Sequence, residues 1–465
     1  MGEIVEKEKQ VMDKTQSKIQ KKKVDLTEGS VSKGLLAFAI PMILGNIFQQ
    51  LYNIVDSIIV GKMVGADALA AVGASTSINM LFVMVAVGTG IGCSVVISQL
   101  FGAKRMEELK TAICTALISI LVFSIILSII GRMLSVPILT IMKTPENIMA
   151  DATNYLNIYF YGFFFLFLYN AFTSVFNALG DSKKPLYFLI FSSFVNIGLD
   201  LFFVGKLKMG VAGAAWATLI AQALSALLSF LVLTKKIRGI QSREYKKFDL
   251  QMLKNMSKVA FPTILQQSIV SIGMLLIQGA VNQFGSVFLA GYTAAVRVDG
   301  LAIIPIVNLG NAVSTFVAQN AGAGKLERIP KGYHVGLAAG MCFGAFIGIM
   351  MQVFGTDLIG LFMDANDAAA SIEIGAKYIG IISIFYFVFA MMNMSSSVLR
   401  GTGDMFVFTL SAFVNLIVRV SLTYIFAVAT AGMVIMWANP VGWAVSFTIS
   451  YTRYKMGKWR EIKLV

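Results

Sequence analysis

The chain consists of long apolar runs that are separated by short polar segments. A helix needs about 20 apolar residues to cross a hydrocarbon core about 30 Å thick, because each residue rises about 1.5 Å. The runs have this length, and none shows the period of two that is typical of membrane-spanning strands. The pattern predicts an all-α integral membrane protein with twelve transmembrane helices, at residues 35–60, 69–99, 111–135, 152–177, 186–205, 211–234, 257–283, 287–319, 334–356, 373–398, 405–427 and 431–452.

Composition and charge agree with this prediction. Of the 465 residues, 57% are hydrophobic and 13% are charged, whereas soluble domains average about 45–50% and about 25%. The net charge of +14 comes from Lys and Arg in the loops, of which 30 fall on one side of the predicted membrane and six on the other. Because cytoplasmic loops carry the excess of Lys and Arg, we expect a multi-pass protein of the cell (plasma or inner) membrane with both termini in the cytoplasm. The charges are explained by topology, so no nucleic-acid partner is predicted.

The two halves of the chain resemble each other in sequence. Matching residues recur at a nearly constant offset of 219–221, as in Pro41 and Pro262, Gln99 and Gln319, and Asn196 and Asn415. Six is an even number of helices, so both halves enter the membrane from the same side. The repeat therefore predicts two six-helix lobes related by a pseudo-two-fold axis along the membrane normal, an architecture that is typical of carriers.

The predicted domain boundaries follow the polar segments. A polar tail, which we expect to be disordered, covers residues 1–33, and the helices of the N-lobe cover 34–237. A cytoplasmic linker at 238–256 precedes the C-lobe at 257–455, and a second cytoplasmic tail covers 456–465.

Three acidic residues, Asp56, Asp200 and Asp299, lie well inside predicted helices, where ionisable groups are costly and usually functional. Counting residues from the helix ends places Asp56, Asp200 and Thr218 at about the same depth, and Asn196 shares the helix face of Asp200. Oxygen ligands suit a hard cation or a proton, and two close carboxylates cannot both ionise cheaply in a low dielectric. These residues are therefore candidates for a cation or proton site. A structural Asp200 with a water-facing Asp56 is the alternative.

Other polar residues inside helices are candidates for a substrate cavity. Aromatic faces attract organic cations, although we expect most aromatic residues of helix 4 to pack against other helices or face lipid. Arg297 and Asp299 are two residues apart and do not share a face, so we expect each to contact another helix. They either fix the C-lobe or contribute to substrate binding and gating. The cavity candidates are Tyr52, Asn170, Asn177, Arg297 and Asp299.

Several motifs resemble those of the bacterial multidrug and toxic compound extrusion (MATE) family, in particular its DinF-like branch. The similarity covers residues 33 to about 455. The motifs are Asn-Ile-Gly-Leu-Asp at 196–200 with Thr218, Asn-Ile-Val-Asp-Ser at 53–57 after Pro41, Leu-Gly-Asp-Ser-Lys-Lys-Pro at 179–185, and Gly-Ala-Lys-Arg-Met-Glu-Glu at 102–108 with its echo Gly-Ala-Gly-Lys-Leu-Glu at 322–327.

The resemblance implies that Asp56, Asn196, Asp200 and Thr218 form an N-lobe site for H⁺ or Na⁺, and that Pro41 permits a bend of helix 1. The NorM-like branch adds acids in helices 7 and 10. This chain has only Glu373, at the outer edge of helix 10, so the N-lobe is the expected place of coupling. The position of Asp200 is matched in the second half by Arg419, which predicts functionally unequal lobes.

These observations predict a secondary active antiporter that exports amphipathic or cationic organic compounds, including drugs, in exchange for H⁺ or Na⁺ while embedded in membrane lipid. No cofactor, no ATP and no metal beyond Na⁺ at the N-lobe site are expected. A narrow metabolite exporter and a flippase for lipid-linked precursors are alternatives, and the flippase would need a basic cavity. An intramembrane hydrolase using Asp299 or Asp404 is the alternative from another class, but Asp404 matches Asp181 of the first half, which indicates a repeated turn.

Overall fold

The computed structural model describes residues 25–462 and 464, apart from residues 143, 241, 243 and 364–367. This part of the chain is helical and contains no β-strand, as the hydrophobic pattern predicts. The first 24 residues of the predicted N-terminal tail lie outside the described residues. The fourteen α-helices of the described part are α1 (Val31–Met63), α2 (Ala66–Gly102), α3 (Met106–Ile141), α4 (Glu146–Ala178), α5 (Lys183–Asp200), α6 (Gly210–Arg238), α7 (Leu250–Val281), α8 (Gly285–Ala302), α9 (Ile304–Gly322), α10 (Arg328–Gly360), α11 (Ala368–Ile384), α12 (Tyr386–Thr402), α13 (Met405–Phe426) and α14 (Met433–Lys455).

Fourteen helices account for the twelve predicted spans because spans 8 and 10 are each divided. Span 8 consists of α8 and α9, which are interrupted at Ile303 just before Pro305, a residue that lacks the N–H needed to continue a helix. Span 10 consists of α11 and α12, which meet at an angle of 52°. Near that bend, Gln352 of α10 donates a hydrogen bond of 2.6 Å to the carbonyl of Gly380, and side chains that enter the helical hydrogen-bond ladder are a known cause of kinks.

Length and hydropathy alone identify ten membrane-crossing stretches in the described chain, or eleven if the bent pair counts as one. One of the ten, Leu250–Ala302, has 53 residues and would be about 80 Å long as a straight helix, far more than one span needs. Gly285, with φ of 84°, ends the short 3₁₀ turn Asn282–Phe284 and starts α8. The stretch therefore supplies span 7 and the first part of span 8.

The helices form two lobes that contact each other along α2 and α7 and along α1 and α9. The N-lobe comprises α1–α6 and the C-lobe α7–α14. Gly88 and Gly92 of α2 face Ile264 and Ala260 of α7, and a Cβ on Gly88 would lie 2.8 Å from the Cα of Ile264. Only glycine at these two positions permits the lobes to pack this closely.

The lobes also meet at one end of the bundle, which we call the proximal end because residues 25–30 and 456–462 lie there. Gln99 of the N-lobe donates a 3.1 Å hydrogen bond to the carbonyl of Gly401 in the C-lobe. Gln319, its partner in the repeat, donates a 2.8 Å hydrogen bond to the carbonyl of Ala178 in the N-lobe. Both glutamines are buried. The reciprocal contact confirms the pseudo-two-fold relation between the lobes.

The last part of the predicted N-terminal tail is ordered, because it binds the C-lobe. Leu26 is buried, and its carbonyl accepts a 3.1 Å hydrogen bond from Asn320 Nδ2. Lys325 Nζ donates a 2.9 Å hydrogen bond to the carbonyl of Thr27. The first helix begins at Val31, so the predicted tail boundary at residue 33 lies inside the ordered structure.

The predicted linker is shorter in the structure than in the sequence interpretation. Helix α6 ends at Arg238, but α7 starts at Leu250 instead of residue 257. The side chain of Asp249 caps α7 by accepting a 2.8 Å hydrogen bond from the backbone N–H of Met252. Asp is a favoured N-cap residue because its carboxylate satisfies an otherwise unpaired N–H of the first turn.

Candidate functional site

The structure brings the two N-lobe acids together. Asp56 lies in the second half of α1, and Asp200 is the last residue of α5, a helix that packs against α1. Their carboxyl groups are neighbours. Asp200 is fully buried, and Asn196, one helical turn before it, is also buried. The two acids that the sequence places at a common depth are therefore adjacent in the structure.

The polar atoms of this group are buried without partners. Both carboxylate oxygens of Asp200, Oδ1 of Asp56 and both side-chain polar atoms of Asn196 make no hydrogen bond within the described part of the chain. A buried polar atom that is left unpaired costs about 1–3 kcal/mol. An adjacent group of such atoms indicates a place that is built to receive a proton, a cation or a polar ligand.

The backbone changes its winding directly after Asp200. Residues Leu201–Lys206 form a π-helical turn that continues α5, whereas the sequence predicts an ordinary helix through residue 205. π-Helical turns are rare and often occur at functional sites, because the wider turn rotates the side chains on its two sides relative to each other. Here the wider turn begins where the buried carboxylate ends the regular helix.

A small cavity of about 40 Å³ lies beside this group within the N-lobe. This volume is below the range of about 300–1,000 Å³ that is usual for small-molecule sites. Asn196 and Thr218 of the predicted cation site belong to its wall, as do Tyr52 and Asn170 of the predicted substrate cavity. The lining residues are Gln49, Tyr52, Leu166, Tyr169, Asn170, Leu189, Ser192, Ser193, Asn196, Thr218, Ala221, Gln222 and Ser225.

Six polar lining residues were not expected from the sequence: Gln49, Tyr169, Ser192, Ser193, Gln222 and Ser225. The signal that could have found three of them is helical spacing. Gln49 precedes Tyr52 by three residues and Asp56 by seven, and Gln222 and Ser225 follow Thr218 by four and seven. Residues at these spacings share one face of a helix. In an apolar helix such a polar stripe indicates a wet or ligand-binding surface.

Helix α4 contributes less to the cavity than its composition suggests. Phe160, Phe163 and Phe167 pack in the N-lobe core, as expected for most of its aromatic residues. Asn177 is not among the lining residues, and its Oδ1 is buried without a partner in the described structure. The prediction that Asn170 and Asn177 serve one cavity is therefore met only by Asn170.

Pro41 lies within the continuous helix α1, whose contact with the C-lobe extends past the proline to Asn46. Leu35 and Phe38, before the proline, pack in the core of the C-lobe. Ile59 and Val60, after it, pack with N-lobe residues. Pro41 therefore stands between two halves of α1 that belong to different packing units, and its role as a hinge stays a prediction.

Arg297 and Asp299 do not line the N-lobe cavity, so this part of the predicted substrate site is not assembled there. Both lie on α8 in the C-lobe, where Asp299 is buried and accepts a 2.8 Å hydrogen bond from the hydroxyl of Tyr386. Arg297 is exposed on another face of α8 and makes no ion pair with any described residue. The expected contact with another helix is thus present for Asp299 and absent for Arg297.

Asp181 and Asp404 occupy matching turns at the proximal end. Asp181 Oδ2 lies 2.9 Å from Lys236 Nζ, and Asp404 Oδ2 lies 2.6 Å from Arg453 Nε. Burial by itself would raise the pKa of Asp181, but the charge and hydrogen bond of Lys236 hold that pKa below its usual value. Each acid therefore ties a turn to the last helix of its own lobe, which agrees with the interpretation of Gly401–Asp404 as a repeated turn.

Comparison with known proteins supports the repeat and the fold. The MatE family model matches residues 41–202 and again residues 262–425, and these matches begin at the repeat-related Pro41 and Pro262. The chain is 30% identical over 437 residues to "Probable multidrug resistance protein YoeA" of Bacillus subtilis (strain 168), covering 92% of this chain and 94% of that protein. It is also 30% identical over 445 residues to "Probable multidrug resistance protein YpnP" of the same organism, covering 95% and 99%.

A solved structure shows the same architecture. The chain resembles a transporter of the MOP superfamily from Pyrococcus furiosus Vc1 (DSM3638) with a TM-score of 0.88 and 24% identity, over 94% of this chain and 98% of the other. This likeness concerns the twelve-helix, two-lobe fold. The doubled family match and the two relatives that are 30% identical show that the chain belongs to the MatE family and is a multi-pass membrane transporter rather than an enzyme.

Proposed function

We propose that this transporter exports amphipathic and cationic organic compounds from the cytoplasm in exchange for H⁺ or Na⁺. Coupling takes place at the N-lobe site of Asp56, Asn196, Asp200 and Thr218. The names of the two Bacillus subtilis relatives support multidrug export. The observation that carries the proposal is the group of buried, unpartnered polar atoms directly beside the N-lobe cavity.

Asn196 is the structural link between ion and substrate. Its amide belongs to the unpartnered polar group and also to the cavity wall. The amide of Asn196 can turn its oxygen or its nitrogen toward Asp200. If the oxygen faces a cation near Asp200, the nitrogen faces the substrate, and the reverse orientation exchanges the two atoms. Asn196 therefore supports mutual exclusion, in which occupation of one site weakens the other.

The neighbouring carboxyls supply the energetic part of this exclusion. Two adjacent carboxyls cannot both ionise cheaply in a low dielectric, so a proton or Na⁺ relieves their repulsion. Without a proton or Na⁺, their negative charges attract a cationic substrate. At an effective dielectric of about 20, a charge about 8 Å away changes the binding free energy by roughly 2 kcal/mol. By linkage, the substrate weakens cation binding by the same factor.

The packing of the lobes supports a state that is open at the end opposite the proximal end. Interlobe hydrogen bonds from Gln99 and Gln319 close the proximal end. N-lobe residues at the other end, including Ile59, Val60 and Val211, form a core of their own without C-lobe members. With the termini in the cytoplasm, as the Lys and Arg distribution predicts, this is an outward-facing state of an alternating-access cycle.

The cavity does not favour a flippase for lipid-linked precursors. None of the residues that line it is Lys or Arg, so a diphosphate headgroup would lack a cationic partner there. Tyr52 and Tyr169 offer aromatic faces, and Asp56 lies near Tyr52. Aromatic rings beside a carboxylate suit an organic cation.

The test is efflux of a fluorescent cationic dye from liposomes that contain the purified full-length protein, with a proton gradient and a sodium gradient imposed separately. We expect Asp200→Asn to abolish gradient-driven efflux because it removes a carboxylate from the coupling site. The matched control is Glu373→Gln, which removes a carboxylate that is exposed and paired with Lys377 at 2.7 Å.

Efflux that needs one gradient, persists in Glu373→Gln and is lost in Asp200→Asn supports the proposal and identifies the ion. Undiminished gradient-driven efflux by a folded Asp200→Asn variant rejects the assignment of the coupling site. Dye efflux that requires neither gradient rejects antiport.

A further inference from the structure

The C-lobe carries a counterpart of the N-lobe site with inverted charge. On α13, Asn415 and Arg419 are one helical turn apart and match Asn196 and Asp200 at an offset of 219. Pro41 and Pro262 are 221 residues apart. At the same offset, Asp56 matches the apolar Ile277. Of these three N-lobe residues, the C-lobe retains the amide, loses one carboxylate and replaces the other with a guanidinium.

The C-lobe is shaped to hold this arginine inside. The side chain of Arg419 passes α14 at Gly442. A Cβ added to Gly442 would lie 2.6 Å from Cγ of Arg419 and 3.2 Å from Oδ1 of Asn415. Any larger residue at position 442 would displace the side chain. Nε of Arg419 is buried and has no hydrogen-bond partner among the described residues, and the described chain offers the guanidinium no ion pair.

The groups around Arg419 include one acid. Asp299, Tyr292 and Tyr378 lie close enough to interact electrostatically with the guanidinium. Asp299 accepts a hydrogen bond from Tyr386, and the hydroxyl of Tyr378 accepts a 2.8 Å hydrogen bond from Asn439 of α14. By their ordinary ionisation near neutral pH, Arg419 and Asp299 are the charged residues of this cluster, and their charges are opposite in sign.

The two lobes therefore balance their buried acids differently. The N-lobe places two carboxyls together, and no cationic side chain of the described residues forms an ion pair with them. Their charge can therefore be balanced by a proton or cation from solution. The C-lobe places one carboxylate near a cation that is covalently attached. In this structure the charge that opposes Asp299 belongs to the chain itself and cannot be released to solution.

We propose that Arg419 is a built-in cation of the C-lobe and that it corresponds to the exchangeable cation of the N-lobe. Its fixed charge thereby restricts ion coupling to the N-lobe. Arg419 is thus a residue that determines which lobe couples. The inference rests on the proposed N-lobe coupling site, because it assigns the remaining lobe a fixed cation.

The test counts cations that bind to the purified full-length protein, using ²²Na⁺ for sodium and a pH indicator for proton uptake. The background variant is Asp200→Asn, in which we expect no cation binding. Adding Arg419→Met removes the fixed charge and keeps a long apolar side chain. We expect binding to reappear, because Asp299 then lacks its cation.

Two further variants identify where that binding occurs. Adding Asp299→Asn to Asp200→Asn/Arg419→Met should abolish it again. Replacing Arg419 by Lys in the Asp200→Asn background keeps a positive charge and should leave binding absent, which separates charge from packing. Thermal unfolding of each variant establishes that it is folded.

Failure of Arg419→Met to restore binding in a folded protein overturns the proposal, as does equal binding in Arg419→Lys. Cation binding in Asp200→Asn that Asp299→Asn removes also overturns it, because the C-lobe would then bind a cation despite Arg419. Binding in Asp200→Asn that Asp56→Asn removes instead shows that the coupling site survives without Asp200. That result contradicts the proposed function and not the role of Arg419.

Discussion

The reciprocal glutamine contacts at the proximal end are related by symmetry but should differ in energy. Gln99→Leu removes the hydrogen bond to Gly401 and leaves that buried carbonyl unpaired, which costs about 1–3 kcal/mol. Gln319→Leu leaves the carbonyl of Ala178 unpaired at a similar cost. Gln319→Leu also removes Oε1 of Gln319, which is buried without a partner among the described residues. Removal of this unpaired atom regains a comparable free energy.

Gln99→Leu should therefore destabilise the closed proximal end, whereas Gln319→Leu should leave it nearly unchanged. Separation of the lobes exposes the freed carbonyl to water, so the cost applies to the closed state alone. A difference of about 1–3 kcal/mol changes the ratio of open to closed molecules by about 5–150-fold.

The assay is the distance between spin labels placed at Lys104 and Glu327, which lie in proximal turns of different lobes. It requires a background in which the native cysteines Cys93, Cys114 and Cys342 are replaced. We expect a new population with a longer distance in Gln99→Leu and little change in Gln319→Leu.

The matched control is Gln352→Leu, because Gln352 donates to Gly380 within one lobe and should not affect the distance between lobes. An equal or larger shift in Gln319→Leu than in Gln99→Leu refutes the energetic reasoning. Unchanged distances in both variants show that the glutamines do not hold the proximal end closed.

Two further predictions concern stability. Asp181→Asn should lower the melting temperature at pH 7 by an amount equivalent to about 1 kcal/mol. Since Lys236 depresses the pKa of Asp181, the difference from the unmodified protein should shrink as the pH falls below the ordinary Asp pKa of about 4. A difference in melting temperature that persists at low pH contradicts the reasoning. Gly92→Ala should lower the free energy of unfolding by about 1–3 kcal/mol, since the new Cβ would overlap Ala260 of the other lobe. The control for the same melting measurement is Gly198→Ala, whose Cβ would meet nothing within 4 Å. Equal effects of the two substitutions would show that the interlobe contact is not tight.

Several features of the site could be predicted from the sequence, because they depend on position along a helix. The rise of about 1.5 Å per residue places Asp56 and Asp200 at a common depth, and the structure shows them as neighbours. The offset of the repeat likewise predicts that Arg419 stands where the other lobe has Asp200. Depth and repeat register need no knowledge of which helices touch.

Features that depend on rotation and on neighbouring helices could not be predicted in this way. Arg297 and Asp299 differ by only two residues, yet one is exposed and the other is buried against Tyr386. Residues 25–30 look like a polar tail until the carbonyl of Leu26 is seen to accept hydrogen bonds from the C-lobe. Their order comes from a partner that is about 300 residues away in sequence.

The amino-acid sequence by itself therefore determined the membrane-spanning class, the doubled six-helix plan and the shared depth of the N-lobe acids. The tertiary structure decided which polar stripes face the cavity, that Asn196 belongs to both ion group and cavity wall, and that spans 8 and 10 are divided. The physical reason is that hydrophobicity and helical rise act locally along the chain. The direction of a side chain acquires meaning only when another helix, a cavity or lipid lies opposite it.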